Sequence, residues 1–488
     1  MSIAEDSAAP TQAAPTQAAA PTGPPPPNIA TIVLAIAGGF LALLDTTIVN
    51  VSLGSTAAQF GDIGSVQWVV TTYLLALCAT MPASTWLARR YGPKRVYLAA
   101  VVLFALGSAA CALSPILPAL VGSRGLAGAA AGILTPVSTI LLTRGLPREQ
   151  LGRYQALNGS VMLIGPLLGP TVGGLLVQLA GWPAVYAINV PICLVMVVVG
   201  ARRIASDGLG NSQGAGGSRT PLDVVGLLSA AVTTVSIVLA IRELSDHGPA
   251  LEALLPLALA VVAAAVFVRS SLRREHPLQD LRLFTNGIYR TAALNILFLG
   301  FVLYGPMVII PLYFEAARGQ TPVVTGLLLS TAGFGVVFAG WLCRKLMAKI
   351  GGGATIVLGI TLTLVGTVPF VMLTADSSYL LLCGAMVVRG IGTGLTIVPA
   401  MTRAFQSIPA RSIPDAAPQL NLLQRIGGTF AAALVTMALH REAVLAGGLV
   451  PHAFSQACVW VLVTSATALL PAFGLLRAER KAARASAG

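Results

Sequence analysis

A chain of 488 residues that is 56% hydrophobic and only 10% charged, with a mean hydropathy of +0.83, carries more apolar surface than soluble cores can bury. That excludes an ordinary water-soluble domain and leaves lipid as the solvent for most of the chain. The formal net charge of +13 is no argument for nucleic acid, because basic residues on such a chain normally face anionic headgroups on the cytoplasmic side.

Residues 1–28 are rich in Ala, Pro, Thr and Gln and end in Pro24-Pro25-Pro26-Pro27. Lacking the basic start of a cleavable signal, they read as a disordered cytoplasmic tail. Apolar stretches of about 20 residues, each able to cross roughly 30 Å of hydrocarbon, follow at 29–53, 67–88, 96–114, 117–143, 154–180, 184–201, 221–241, 249–268, 291–314, 322–343, 353–374, 378–402, 417–440 and 453–476. They predict an all-α integral membrane protein of fourteen transmembrane helices. Trp86-Leu87, Arg124-Gly125 and Pro136 are echoed in order by Trp341-Leu342, Arg389-Gly390 and Pro399. The echo points to two related six-helix bundles, 29–203 and 288–477, with a two-helix insertion at 221–270 between linkers 204–220 and 271–287, and a cytoplasmic tail at 478–488. With both termini cytoplasmic, 24 of the 30 Lys and Arg residues fall on the cytoplasmic side, an asymmetry that an odd helix count would destroy.

The six cysteines lie inside apolar runs without a CxxC pair, and the four histidines are scattered, so neither a disulfide framework nor a metal site is expected. A membrane enzyme such as a prenyltransferase would need clustered acids or a His/Glu set; a membrane sensor would need an appended domain longer than any loop here. No enzyme activity, cofactor, nucleic acid or obligate protein partner is expected, only a small-molecule substrate and the bilayer.

Ionisable groups inside a span mark pathways or proton sites by default. Asp45, in Leu44-Asp45-Thr46-Thr47-Ile48-Val49-Asn50, lies about eight residues from the outer end of its span and Arg124 about seven, similar depths at helical rise. They are neighbours if the first and fourth spans pack together, either as a proton-coupling pair or as a static ion pair. Arg389 holds the corresponding place in the second half without an acid at its depth; it contacts substrate or bonds carbonyls of a broken helix. Glu315 ends the ninth span, three residues before a candidate partner, Arg318. In the fifth span Gly165, Gly169 and Gly173 share a helix face, with Pro170 and Gly174 beside them, and a glycine face at 326, 333 and 340 offers a partner. Arg89, Arg90, Lys94 and Arg95 surround Gly92-Pro93, which predicts a tight reversal with the next helix starting at once.

Together these residues resemble the fourteen-helix drug:proton antiporters of the major facilitator superfamily, over about 29–477. The resemblance rests on Leu44 to Asn50, Trp68-Val69-Val70-Thr71-Thr72-Tyr73, Arg124 with Gly128, the Gly165–Gly174 stretch, Ile188-Asn189-Val190-Pro191, and Asn421 with Gly427-Gly428. It implies export of small amphipathic compounds (multidrug or natural-product efflux) by alternating access, with the proton as coupling ion at Asp45 and Arg124. A lipid exporter of the same fold is the alternative. Helices 1, 4, 9 and 12 would line the cavity and 2, 5, 10 and 13 the seam between bundles. Thr46, Asn50, Tyr73, Asn158, Asn295, Tyr304, Glu315 and Arg389 are candidates for the cavity. The chain departs from the family at Thr85 and Arg89, where Gly and an acid are usual, at Ala127, at Pro183-Ala184, and in the order of Gln424-Arg425. With Arg89 in place of the acid, Glu149 is expected to supply the gate's negative charge to Arg144, Arg148 or the Arg89 cluster.

Overall fold

The computed structural model describes residues 27–487 apart from 62, 145, 147, 206–222, 246–249, 275–276, 375, 410–411, 447 and 449, and no strand occurs among the described residues. The first bundle holds α1 (Ile29–Phe60), α2 (Ile63–Val66), α3 (Trp68–Thr80), α4 (Ala83–Tyr91), α5 (Pro93–Ala112), α6 (Leu117–Thr143), α7 (Arg148–Ala180), α8 (Pro183–Ala187) and α9 (Asn189–Arg203). The insertion is α10 (Val224–Ser245) and α11 (Ala250–Arg273). The second bundle holds α12 (Gly287–Leu312), α13 (Pro322–Ile350), α14 (Gly352–Val371), α15 (Tyr379–Gln406), α16 (Ile413–Ala446), α17 (Pro451–Thr467) and α18 (Leu469–Ala487).

Each apolar stretch falls on a helix or a helix pair. Among the described residues eleven helices are long and apolar enough to cross a membrane, and α3 with α4, bent by 55°, forms a twelfth when joined. The remaining two stretches, in α7 and α10, show shorter apolar segments among the described residues, Thr171–Ala180 and Val224–Ile237. Length and composition therefore support a many-helix membrane fold without fixing the number of crossings at fourteen.

Local chemistry sets the corners. Asn28 caps α1 by accepting from the Thr31 amide at 2.7 Å and ties its start to the end of α9 by donating to the Arg203 carbonyl at 2.8 Å. Gly92, at φ 85°, separates α4 from α5, and Gly351, at φ 82°, separates α13 from α14, so the reversal expected at Gly92-Pro93 recurs in the second bundle. The helix before each glycine carries a tryptophan with a cation one turn on, Arg90 over Trp86 and Lys345 over Trp341. In the insertion, Asp223 accepts from the Gly226 amide at 2.8 Å and pairs with Arg274 at 3.1 Å, which holds α10 against α11. α10 also packs on both α3 and α16, touching the two bundles at once.

The buried apolar side chains separate the two ends of the molecule. At the end where the basic loops lie, one continuous cluster runs from Tyr97 and Leu141 of the first bundle to Phe405 and Leu420 of the second. At the opposite end each bundle keeps its own cluster, around Val49, Val69 and Trp182 in the first and Ile310, Phe314 and Phe454 in the second. Among the described residues, buried apolar packing thus joins the bundles at the basic end and stays within each bundle at the other.

Candidate functional site

Asp45 and Arg124 meet inside the first bundle, as their matched depths suggested. α1 and α6 pack against each other, and an Arg124 Nη1 donates to Asp45 Oδ2 at 2.7 Å with both side chains 1% exposed or less. The second carboxylate oxygen accepts from the Asn189 side-chain amide at 2.9 Å, and that amide also reaches the Ser108 hydroxyl at 3.4 Å. The guanidinium is held from three further directions. Its Nε donates to the Val69 carbonyl at 3.3 Å, and its Cζ lies 4.1 Å from the ring centre of Tyr73 and 5.6 Å from that of Tyr186. Tyr73 in turn donates to the Ala42 carbonyl of α1 at 3.0 Å. Both groups are stripped of water, and the counter-ion and hydrogen bonds of each offset that burial, although Arg124 Nη2 has no hydrogen-bond partner among the described residues. Asn189 was legible in the sequence as part of a motif; nothing there assigned it to the carboxylate.

A cavity of about 150 Å³ lies between the bundles, walled by α1, α6 and α7 on one side and α12, α15 and α16 on the other. Four of these are the helices expected to line it; α7 and α16 join them. The walls from α6 and α15 flank Pro136 and Pro399, at Thr135, Ser138 and Thr139 and at Ile397, Val398 and Met401. Of the eight candidates named from sequence, Asn158 and Tyr304 line the cavity, Tyr304 with its ring lodged over Gly428. The others stand elsewhere. Thr46 bonds back to its own helix, Asn50 is exposed, Tyr73 lies under Arg124, and Asn295 is buried and donates to the Thr291 carbonyl. Seven polar wall residues, Thr135, Ser138, Thr139, Gln155, Asn421, Gln424 and Arg425, were not among the candidates. Leu43, two residues before Asp45 on α1, joins the carboxylate to the cavity wall.

A family model described as the Major Facilitator Superfamily matches residues 35–432. The chain belongs to that superfamily, a family of transporters rather than enzymes. The transporter is 29% identical over 417 residues to "Multidrug resistance protein B homolog" of Mycobacterium tuberculosis, covering 84% of this chain and 76% of the relative. It is 31% identical over 417 residues to "Methylenomycin A resistance protein" of Streptomyces coelicolor, covering 84% and 85%. Among solved structures, the proton:xylose symporter XylE superposes with a TM-score of 0.62 at 14% identity, covering 90% of this chain and 94% of the other. At that identity the likeness concerns the fold alone.

The remaining sequence candidates take clear places in the transporter. Arg89, at the end of α4, pairs with Asp415 at the start of α16, and Thr85 donates to the Pro414 carbonyl at 2.7 Å, so the seam is latched at the basic end. The acid that Arg89 meets is Asp415; the Glu149 side chain, expected to answer Arg144, Arg148 or the Arg89 cluster, lies outside the described residues. An acid placed directly after Pro414 at a helix start was the available signal. Arg90 covers Trp86 and Tyr91, and Arg95 is exposed. Gly165, Gly169 and Gly173 do not turn to α13, although α7 and α13 touch. They pack on α1, against Leu43, Thr47 and Ile48. Gly174 faces open space, and the side chain of Pro170 is outside the described set. Arg389 donates to the Val302 carbonyl. That carbonyl has lost its usual partner because Pro306, four residues on, has no amide hydrogen. Glu315 sits exposed in a π-helical turn, Tyr313–Ala317, and forms no pair with Arg318. Arg318 goes instead to the Ser377 carbonyl at 3.0 Å and to the hydroxyls of Tyr313 and Tyr379 at 3.3 Å.

Proposed function

We propose that the transporter is a proton-coupled antiporter that exports small amphipathic compounds by alternating access, with Asp45 as the proton carrier and Arg124 as its counter-ion. In this reading the chain crosses the membrane fourteen times, with both termini and the latched seam in the cytoplasm. The observation that carries it is a fully buried carboxylate–guanidinium pair on the helix that also walls the inter-bundle cavity. A proton captured from outside neutralises Asp45 and releases Arg124 from its strongest contact. The ensuing shift of α1 against α6 is felt at Leu43, in the cavity wall. Conversely, a substrate that displaces α1 disfavours one protonation state, which links the two fluxes. The resistance functions named in the relatives agree with export of amphipathic compounds.

The test is substrate-dependent proton flux in reconstituted vesicles under a pH gradient, scanned over a chemically diverse compound panel. Wild type is expected to concentrate substrates against the gradient, and Asp45→Asn to lose uphill transport while downhill exchange persists. Near wild-type uphill rates in Asp45→Asn would overturn the assignment of the proton to Asp45.

A further inference from the structure

The cavity wall is unequal in its hydrogen-bonding chemistry. Arg425 projects from α16 into it, and among the described residues no acidic side chain lines the cavity. Among the described residues every ion pair is made by another base: Arg89 with Asp415, Arg124 with Asp45, Arg274 with Asp223, Arg403 with Glu479. Gln155, also in the wall and 95% buried by its 5% exposure, has a side-chain Nε2 with no acceptor. The Ser138 hydroxyl of the same wall is likewise buried without a partner among the described residues; of the three groups two only donate, and the hydroxyl can donate as well as accept. Around them stand the apolar side chains of Leu43, Leu303, Met307 and Met401.

From this we infer that the exported compound is an organic anion: an apolar body bearing a carboxylate or a comparable acidic oxygen group that Arg425 binds and Gln155 also donates to. This rests on the reading of the cavity as the export site. While the cavity is open, water solvates the guanidinium. When the bundles close over a ligand that water leaves, and a cation without a counter-charge becomes costly. A ligand anion removes that cost, whereas a cationic ligand adds repulsion to it. The planar guanidinium matches a carboxylate through two parallel hydrogen bonds, and the methionines adapt to varied apolar bodies. The anion charge also sits apart from Asp45, whose counter-ion is already supplied by Arg124, so substrate and proton do not compete for one cation.

Three probes that share a naphthalene body test this on the purified, full-length protein: 1-naphthaleneacetate, the neutral 1-naphthaleneacetamide, and the cationic 1-naphthylmethylammonium. Equilibrium binding of the acetate is expected to be at least about tenfold tighter than that of either other probe, the scale of a charge-assisted hydrogen bond. Arg425→Gln removes that preference by weakening the acetate far more than the amide, and the amide binding that remains reports that the variant is folded; Arg425→Lys retains part of the preference. Gln155→Leu weakens acetate and amide alike. Equal binding of the three probes, tighter binding of the cation, or a parallel loss of acetate and amide in Arg425→Gln would overturn the inference. Accumulation of the same probes in vesicles separates it from the proposed function. Gradient-driven accumulation of the cation alone, unaffected by Arg425→Gln, leaves export standing and removes the anion site. Arg425-dependent binding of the acetate with no gradient-driven movement of any probe keeps the site and removes export.

Discussion

Asp45 recovers what it loses on burial from two donors, one charged and one neutral, and Arg124 from a carboxylate, a carbonyl and two aromatic faces. The two partners are therefore unequal when one is removed. Asp45→Asn keeps a hydrogen-bonding side chain in place, and the guanidinium retains Val69, Tyr73 and Tyr186. Arg124→Ala strands an ionised carboxylate with only Asn189 beside it and empties the space between two tyrosine rings. Loss of one partner of a buried pair costs about 3–5 kcal/mol, and Arg124→Ala is expected at the upper end, Asp45→Asn well below it. Thermal unfolding of the detergent-solubilised variants measures the order. An equal or larger loss for Asp45→Asn would show that the aromatic and carbonyl contacts do not hold the guanidinium. Arg389 shows the other way to bury a cation. Its charge is met by a carbonyl freed by proline, a reading the sequence already allowed because Arg389 has no acid at its depth.

At the scale of helices, the glycine face of α7 allows α1 to approach closely, and this contact lies within one bundle. A Cβ on Gly169 would fall 2.1 Å from Thr47 Oγ1 and 2.5 Å from Thr47 Cβ, and the latter cannot move without α1. A Cβ on Gly174, less than two turns away, would meet nothing within 4 Å. Gly169→Ala is thus expected to destabilise by about 1–3 kcal/mol through overpacking. Gly174→Ala should be neutral or gain about 0.5–1 kcal/mol from reduced backbone entropy. Paired melting curves check both, and similar losses at the two sites would mean that helix propensity, not contact with α1, governs this face. The spacing of four residues was legible; the helix that the face meets was not, because glycine faces on α7 and α13 are equally suited to close approach.

Across the whole molecule, apolar packing that joins the bundles at the basic end and stays within each bundle at the other, among the described residues, favours a cavity that opens opposite the basic loops. A cysteine at Leu303, in a Cys383→Ser background, is therefore expected to react with a membrane-impermeant maleimide from outside cells and far less from inside-out vesicles. The Arg89–Asp415 latch joins a cation that is 54% exposed to an acid that is 6% exposed. Water on the arginine side keeps such a pair near the upper end of the exposed range, about 1 kcal/mol, so Arg89→Gln should raise labelling from the inside by about fivefold, and Arg89→Asp with Asp415→Arg should restore the wild-type pattern. Preferential labelling of the wild type from the inside would reverse the assigned opening, and failure of the swap to restore it would remove the latch.

What the sequence by itself determined was whatever depends on local composition and depth along a single helix. The apolar stretches, the tight reversal at Gly92, the matched levels of Asp45 and Arg124, and the unpaired character of Arg389 all follow from the order of residues and the rise of a helix. Tertiary structure decided everything that needs two distant segments to meet. Arg89 found Asp415 across 326 residues rather than an acid in a neighbouring loop, and Asp45 acquired Asn189 from 144 residues away. Arg318 turned from Glu315 to tyrosines and a carbonyl on the next extramembrane segment. The cavity took Gln155, Asn421, Gln424 and Arg425, polar residues that within their own helices look no different from those facing a neighbour. Which polar side chain faces a space and which faces a partner depends on the rotation of each helix in its bundle, and that rotation is set by packing against neighbours that no local pattern specifies.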